Sequence, residues 1–119
     1  MENDILLHSV QIYWNSIVYA METVVTQMEN TLSENPAFNE VVNNIIMTAQ
    51  NCSNLYGLSI RDKNYRVNYT NNEMLFYYQL TPLIENQEFL IHLQNAVNNQ
   101  LIDGERFFDH FLRTIHVNN

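Results

Sequence analysis

Residues 10–25, VQIYWNSIVYAMETVV, place apolar side chains at steps of three and four. The spacing continues on both sides of this stretch, and its members are Leu6, Val10, Tyr13, Trp14, Ile17, Val18, Met21, Val24, Val25, Met28 and Leu32. Such a period is typical of an amphipathic helix with one buried side. It predicts a helix from about Asp4 to Leu32, roughly 40 Å long at about 1.5 Å per residue. A helix of that length is expected to form the centre of a small domain.

Four further apolar residues of this helix lie away from the main stripe, namely Ile5, Leu7, Ile12 and Tyr19. They leave two interpretations open. Either the helix is central in the bundle and buries two faces, or one face lies in a dimer or partner interface.

A second helix is predicted between Asn35 and Gly57. Asn can cap a helix start, Pro36 is compatible with its first turn, and Gly commonly follows a helix end. The apolar residues between these signals have helical spacing, and they are Phe38, Val41, Val42, Ile45, Ala49, Cys52 and Tyr56.

After Gly57 the pattern changes to alternation, which is typical of strands. The alternating apolar residues are Leu58, Ile60, Tyr65, Val67 and Tyr69, with turn-forming residues at 62–64 between the two sets. We therefore predict a short β-hairpin near residues 58–69, with Arg61, Lys63 and Arg66 in solvent at its tip and exposed face. The alternative is a positive patch that docks on the protein's own acidic helices or on an acidic partner.

Three more helices are predicted after the hairpin. Thr70 and Glu73 match a capping box, Pro82 is expected to end or kink the third helix, and Asp103-Gly104 separates the fourth from the fifth. The whole prediction is a mainly α-helical, single-domain bundle of about five helices over residues 1–119, with a β-hairpin insertion near residues 58–69.

Composition indicates a folded chain without disulfides. Hydrophobic residues make up 46% of the sequence, with seven Tyr and six Phe, which is too apolar for a disordered chain. The single Cys52 has no partner for an internal disulfide. The acidic start and the lack of a long apolar run argue against a secretory signal or a membrane span, so we expect a cytoplasmic protein.

Charge is the strongest compositional signal. Thirteen Asp and Glu against five Lys and Arg give a formal net charge of −8. The acids that precede Arg61 have no basic residue among them, and they are Glu2, Asp4, Glu22, Glu29, Glu34 and Glu40. Such a surface repels nucleic acid and anionic membranes and attracts a basic protein.

No motif in the sequence indicates catalysis, a metal site or a cofactor. Gly57 and Gly104 are the only glycines, too few for phosphate-binding or nucleophile-elbow loops. Cys52 lies on an apolar stripe, where a buried and inert thiol is expected. The four histidines, His8, His92, His110 and His116, lack the spacing of a zinc site. We therefore predict that the protein is not an enzyme.

The last helix offers two competing interpretations. Asp109 and Arg113 are four residues apart, which favours an ion pair on the helix surface, with His116 near the helix C-terminus. The alternative is a small enzyme that uses His110 and His116 as an acid and base pair, or surface carboxylates.

The aromatic clusters also have two interpretations. They contain Phe76, Tyr77, Tyr78, Phe107, Phe108 and Phe111. Aromatic side chains can stack on nucleobases, but that use needs a basic groove beside them, and a net charge of −8 opposes it. We expect them to pack in the core.

The leading functional hypothesis is an acidic protein-binding module that neutralises a basic partner. Examples are an immunity protein or antitoxin for a nuclease toxin domain, or an inhibitor of a nucleic-acid-binding enzyme. The acids expected to bind the partner are Glu22, Glu29, Glu34 and Glu40.

Besides the small enzyme described above, two alternatives belong to other classes. One is a virus-encoded helical bundle that binds an amphipathic helix in an apolar groove, as Bcl-2-like regulators of cell death do. The other is a structural or self-assembling protein, which would form a stable oligomer.

Overall fold

The computed structural model describes the backbone of residues 2–99 and 101–117 and the side chains of residues 8–99, 101–111 and 113. This part of the chain forms α1 (Glu2–Gln27), α2 (Glu29–Glu34), α3 (Pro36–Arg61), α4 (Arg66–Ile84), α5 (Gln87–Asn98) and α6 (Gly104–Val117). A short 3-10 helix, Lys63–Tyr65, joins α3 to α4. The predicted mainly α-helical bundle is confirmed, with six helices instead of five.

The extra helix arises because the first predicted helix breaks at Met28. The apolar period continues through the break, and both Met28 and Leu32 are buried. The helix is nevertheless interrupted, since Met28 has a non-helical ψ of 17° and α2 begins at the next residue. A continuous apolar stripe therefore predicted which residues are buried but not the interruption.

The two most extensive helix contacts are α1 with α3 and α3 with α4, while α5 packs on α1 and α4, and α6 packs on α4. Short connections join α1 to α3 and α3 to α4, so each of these pairs is antiparallel. The bundle measures 45 × 29 × 24 Å, and its long axis is close to the length of α1 or α3.

Aromatic residues from α1, α4 and α6 fill the centre of the bundle. Trp14, Phe76 and Phe107 are fully buried and Tyr77 nearly so, and the Trp14 and Phe76 ring centroids are 5.2 Å apart, edge to face. The predicted core packing is confirmed for these residues and for Phe111. It is wrong for the other two members of the clusters, since Tyr78 and Phe108 are exposed.

Polar atoms of this core are satisfied by a chain of hydrogen bonds. Trp14 Nε1 donates to the hydroxyl of Tyr69 at 3.1 Å, and that hydroxyl donates to Glu73 Oε2 at 3.0 Å. The hydroxyls of Tyr13 and Tyr77 bond to each other at 2.7 Å. These bonds remove the cost of burying an indole N–H and phenol groups.

The predicted β-hairpin near residues 58–69 is wrong. These residues form the end of α3, the 3-10 helix and the start of α4, and residues 2–99 and 101–117 contain no strand. The alternating apolar pattern led to the wrong prediction because Ser59 is buried while Leu58 is exposed. Ser59 can lie inside because its hydroxyl donates to the carbonyl of Tyr56 at 2.7 Å.

At the start of α4, the hydrogen bonds of the Tyr69 side chain favour a helix over a strand. Helical geometry places its hydroxyl within reach of Glu73, one turn later, and of Trp14. The turn chemistry was correctly recognised, since Asp62 Oδ1 accepts from the backbone N–H of Asn64 at 3.0 Å. It joins two helices instead of two strands.

Other predicted boundaries have mixed outcomes. Thr70 and Glu73 lie inside α4 and do not cap it, and Pro82 also lies inside α4, which ends two residues later. Pro36 starts α3 as predicted, whereas the Asn35 side chain makes no capping bond. The predicted break at Asp103-Gly104 is confirmed, because Asp103 Oδ1 accepts from the N–H of Arg106 at 3.2 Å.

The two residues off the α1 stripe whose side chains the structure describes, Ile12 and Tyr19, do not form a second buried face within one copy. Ile12 is 53% exposed and Tyr19 is 62% exposed. The side chains of Ile5, Leu6 and Leu7, and those of Leu112 and Ile115 on α6, lie outside the described side chains.

Replacing Gly57 by alanine tests the helical course of residues 57–61. Gly57→Ala is expected to raise the free energy of unfolding by about 0.5–1 kcal/mol, because Ala is favoured over Gly inside a helix. Urea unfolding measures the change. Gly104→Ala is the contrasting variant and should destabilise, since a Cβ there would collide with Cγ1 of Val97. Destabilisation by Gly57→Ala would instead indicate a chain turn at this residue.

Alkaline titration tests the buried tyrosines. Burial raises the pKa of Tyr13 to about 12, and it also raises the pKa of Tyr69 and Tyr77. In the unfolded chain these groups ionise near pH 10. The unfolded state therefore loses these protons first, and stability should fall as the pH rises above about 10.

Ultraviolet absorbance of tyrosinate, recorded together with circular dichroism, measures this effect. Part of the tyrosinate signal should appear only when helicity is lost. Complete tyrosine ionisation with native helicity would contradict the buried network.

Candidate functional site

All four acids predicted to bind a partner are exposed. Glu29 and Glu34 are the first and last residues of α2, and Glu40 lies in the second turn of α3. The tight path from α1 through α2 to α3 therefore brings these three to one end of the bundle. Glu22 lies five residues before the end of α1, about 8 Å away along the helix axis, at the margin of this group.

Two further acids belong to the same end, and sequence reasoning missed them. Glu88 Oε2 accepts a hydrogen bond from Thr31 Oγ1 of α2 at 2.8 Å, which places the start of α5 beside α2. Glu85 is the cap residue at the end of α4, just before α5. We name this group the acidic end, and its members are Glu29, Glu34, Glu40, Glu85 and Glu88.

Aromatic packing beneath the surface supports this arrangement. The rings of Phe38 on α3 and Phe89 on α5 lie 6.5 Å apart, edge to face. Phe89 is fully buried. This contact places the start of α5 near the start of α3, so the carboxylates of the two helices lie at the same end of the bundle.

No Lys or Arg occurs in the two segments that form the acidic end, residues 27–40 and 84–88. Among the described side chains, the ion pair at this end joins Glu88 Oε1 to His92 Nε2 at 4.0 Å, and it requires a protonated imidazole. The carboxylates are therefore left without permanent counter-charges from the protein, and they produce a negative field in solvent.

Helix dipoles stabilise only some of these acids. Glu29 and Glu88 lie in the first turns of α2 and α5, where a negative charge is favourable. Glu34 and Glu85 each lie between the C-terminal end of one helix and the N-cap of the next, Asn35 or Asn86, so the two dipole contributions oppose each other there. The dipoles therefore do not account for the whole group.

Three of the five basic residues occupy the opposite end. Arg61 ends α3, Lys63 begins the 3-10 helix and Arg66 begins α4, and all three are exposed. Glu40 and Arg61 are 21 residues apart on one helix, about 32 Å along its axis. The cluster is exposed as predicted, at a junction of helices instead of a hairpin tip. It is too distant to dock on the acidic end of the same molecule.

The catalytic alternatives gain no geometric support from the described side chains. Cys52 is fully buried, and desolvation raises the pKa of its thiol, which opposes formation of a nucleophilic thiolate. His110 is stacked on Tyr77 with ring centroids 6.1 Å apart. The side chain of His116 lies outside the described residues, and those described contain no group of three potential metal ligands.

The predicted surface ion pair on the last helix is confirmed. Arg113 Nη2 lies 2.9 Å from Asp109 Oδ2, and both side chains are exposed. A pair of this kind contributes little to stability, and it assigns these two residues to the helix surface.

A groove between α1 and the α5–α6 connection bears on the alternative of an apolar binding site. Its volume is about 490 Å³, and it is lined by Ser9, Ile12, Tyr13, Ser16, Val97, Leu101, Ile102, Asp103, Gly104 and Arg106. The Arg106 guanidinium lies 4.3 Å from the centre of the Tyr13 ring. The lining therefore combines apolar residues with hydroxyl and charged groups.

No helix among the described residues is long and apolar enough to cross a membrane. Comparison with known proteins found no matching family, no matching curated protein and no matching solved structure.

Charge substitutions at the acidic end test whether its carboxylates stabilise the fold. Glu34→Lys and Glu85→Lys are each expected to change the free energy of unfolding by less than about 0.5 kcal/mol, because each lies between the C-terminal end of one helix and the N-terminus of the next. The control Glu105→Lys, in the first turn of α6, should lower it. Thermal and urea unfolding at low salt measure these changes. Destabilisation by Glu34→Lys and Glu85→Lys would show that these acids serve the fold.

Proposed function

We propose that this protein is an acidic binding module whose acidic end neutralises a basic protein. The observation that carries the proposal is the convergence of five carboxylates from two separate chain connections, without a Lys or Arg among them. A surface of this kind favours association with a cationic cleft. The partner class is a nuclease toxin domain or another nucleic-acid-binding enzyme, as for an immunity protein, an antitoxin or an inhibitor.

The proposed mechanism is electrostatic steering followed by occupation of a phosphate-binding surface. Carboxylates pair with the same Arg and Lys side chains that bind phosphate oxygens. Glu22, Glu29, Glu34 and Glu40 are the proposed contacts from the first half of the chain, and Glu85 and Glu88 extend them. Association of this type is fast at low ionic strength and slows as salt is added. The proposed role is binding, without catalysis or a cofactor.

A second candidate is favoured by the groove beside α1. Ile12 is 53% exposed there, next to Val97 and Leu101, and such residues could receive the apolar side of an amphipathic helix, as in a virus-encoded regulator of the Bcl-2-like kind. Binding in that groove would be nearly independent of salt. We place it second because Ser9, Ser16 and Asp103 interrupt its apolar lining.

Affinity capture with matched variants tests the proposal. The tagged protein and the double variant Glu29→Lys, Glu34→Lys are incubated at low and high salt with lysate from cells that express the gene and its neighbours. The control is Glu105→Lys, Asp109→Lys, which changes the net charge by the same amount at exposed positions outside the acidic end, and circular dichroism verifies that both double variants fold. Bound proteins are identified by mass spectrometry.

The expected result is a basic, nucleic-acid-binding protein that is retained by the wild type and the control and lost with the acidic-end variant or in high salt. Addition of the purified chain should then inhibit the partner's binding to nucleic acid. A partner lost equally from both variants would reflect net charge alone and would contradict a specific role of the acidic end. Binding lost only with Ile12→Glu would favour the groove.

A further inference from the structure

The outer layer formed by α3 and α4 is almost free of charge. Between Glu40 and Arg61, α3 contains no acidic or basic residue, and between Arg66 and Glu85 the chain contains only Glu73. Glu73 is half-buried and accepts a hydrogen bond from Tyr69. Soluble surfaces normally intersperse charges of both signs, so an uncharged layer this long on a strongly acidic protein is unusual.

Exposed residues of this layer form two rows with helical spacing. We name them the neutral face, and they are Met47, Asn51, Asn54 and Leu58 of α3 with Asn68, Asn71, Leu75 and Tyr78 of α4. Met47 is 59% exposed, and Leu58, Leu75 and Tyr78 are each more than 40% exposed. These four apolar side chains share the face with four asparagines, so the face offers both apolar contact and amide hydrogen-bonding groups.

The two rows lie side by side. The rings of Tyr56 and Tyr69 are 5.1 Å apart, which sets the register of the antiparallel helices and brings Asn51 level with Leu75 to within about one residue. Between the rows is a shallow depression of about 450 Å³ whose lining includes Asn51, Asn54, Asn68 and Asn71. None of these four amides makes a hydrogen bond with another described side chain, so each has free donors and acceptors.

Charges flank the α3 row in a regular order. Glu40, Met47, Asn54 and Arg61 follow one another at intervals of seven residues, and all four are exposed. Seven residues are nearly two helical turns, so these side chains form one line along α3. The line begins with an anion and ends with a cation, and neither makes an ion pair with another described side chain.

We propose that the neutral face binds a second copy of the chain, with the two α3 helices antiparallel across a two-fold axis near Gln50 and Asn51. This axis pairs Glu40 with the partner's Arg61, and Met47 with the partner's Asn54. Because the axis is two-fold, the interface contains two Glu40–Arg61 pairs and two Met47–Asn54 contacts. The inference goes beyond the proposed function. In the dimer Glu40 faces Arg61 of the second copy, and Glu29, Glu34, Glu85 and Glu88 are the acids left for a basic protein.

Self-complementarity favours a second copy as the occupant. A two-fold interface brings each surface against itself, which an acidic surface does not tolerate. An amide, however, is both donor and acceptor and therefore matches another amide. Charge also selects the orientation, since a parallel arrangement would bring the acidic ends together, whereas the antiparallel one places each beside the partner's cations.

Sedimentation equilibrium over a wide concentration range tests the dimer. Met47→Glu is expected to raise the dimer dissociation constant at least about tenfold, because it buries a charge in the interface. Ile91→Glu is the matched control, since Ile91 is 50% exposed on α5, and it should leave the constant unchanged. Circular dichroism verifies that both variants fold. A monomer at every concentration, or a dimer unaffected by Met47→Glu, would overturn the proposal.

A charge exchange tests the orientation. Glu40→Arg should weaken the dimer about tenfold, because it places two pairs of cations opposite each other. Adding Arg61→Glu to the same chain should restore the wild-type constant to within about twofold, since opposite charges again face each other in both pairs. A dimer that the second substitution weakens further would contradict the antiparallel pairing.

Discussion

The contact between Trp14 and Tyr69 is the constraint on which the arrangement depends. Trp14 is fully buried, and its indole N–H requires an acceptor, which the Tyr69 hydroxyl provides from 55 residues away. Tyr69 in turn needs the Glu73 carboxylate, which a helix places one turn further on. These requirements hold the start of α4 in helical form against α1, and they exclude strand geometry at this point.

The charge distribution follows from that arrangement. Because α4 begins directly after the 3-10 helix, α3 and α4 form a long antiparallel pair, with Arg61 and Arg66 at one end and Glu40 and Glu85 at the other. The connection from α4 to α5 then meets α2, and it adds Glu85 and Glu88 to the acids of the first half. The α3–α4 pair thus has acids at one end and three cations with Asp62 at the other, and Glu73 is the charged residue between the ends.

Sequence reasoning succeeded where local signals decide the structure. Pro36 and Asp103 marked true helix starts, and the apolar period identified the buried side of α1. The predictions failed where contacts between residues far apart in the chain determine the structure. Nothing in the sequence near Ser59 shows that this residue is buried and that Leu58 is exposed. Glu85 and Glu88 were missed for the same reason, because only the path of α3 and α4 brings them beside α2. A prediction of two antiparallel helices in place of the hairpin would have placed them there.

Cations are expected to bind at the acidic end and not over the acidic surface as a whole. Titration of the isotope-labelled protein with a short oligolysine peptide at low salt, followed through backbone amide shifts by NMR, distinguishes the two cases. Binding at the acidic end should give shifts concentrated around Glu29, Glu34, Glu40, Glu85 and Glu88 that disappear when salt is added. Shifts of equal size around Asp62, Glu105 and Asp109 would show that binding follows net charge alone.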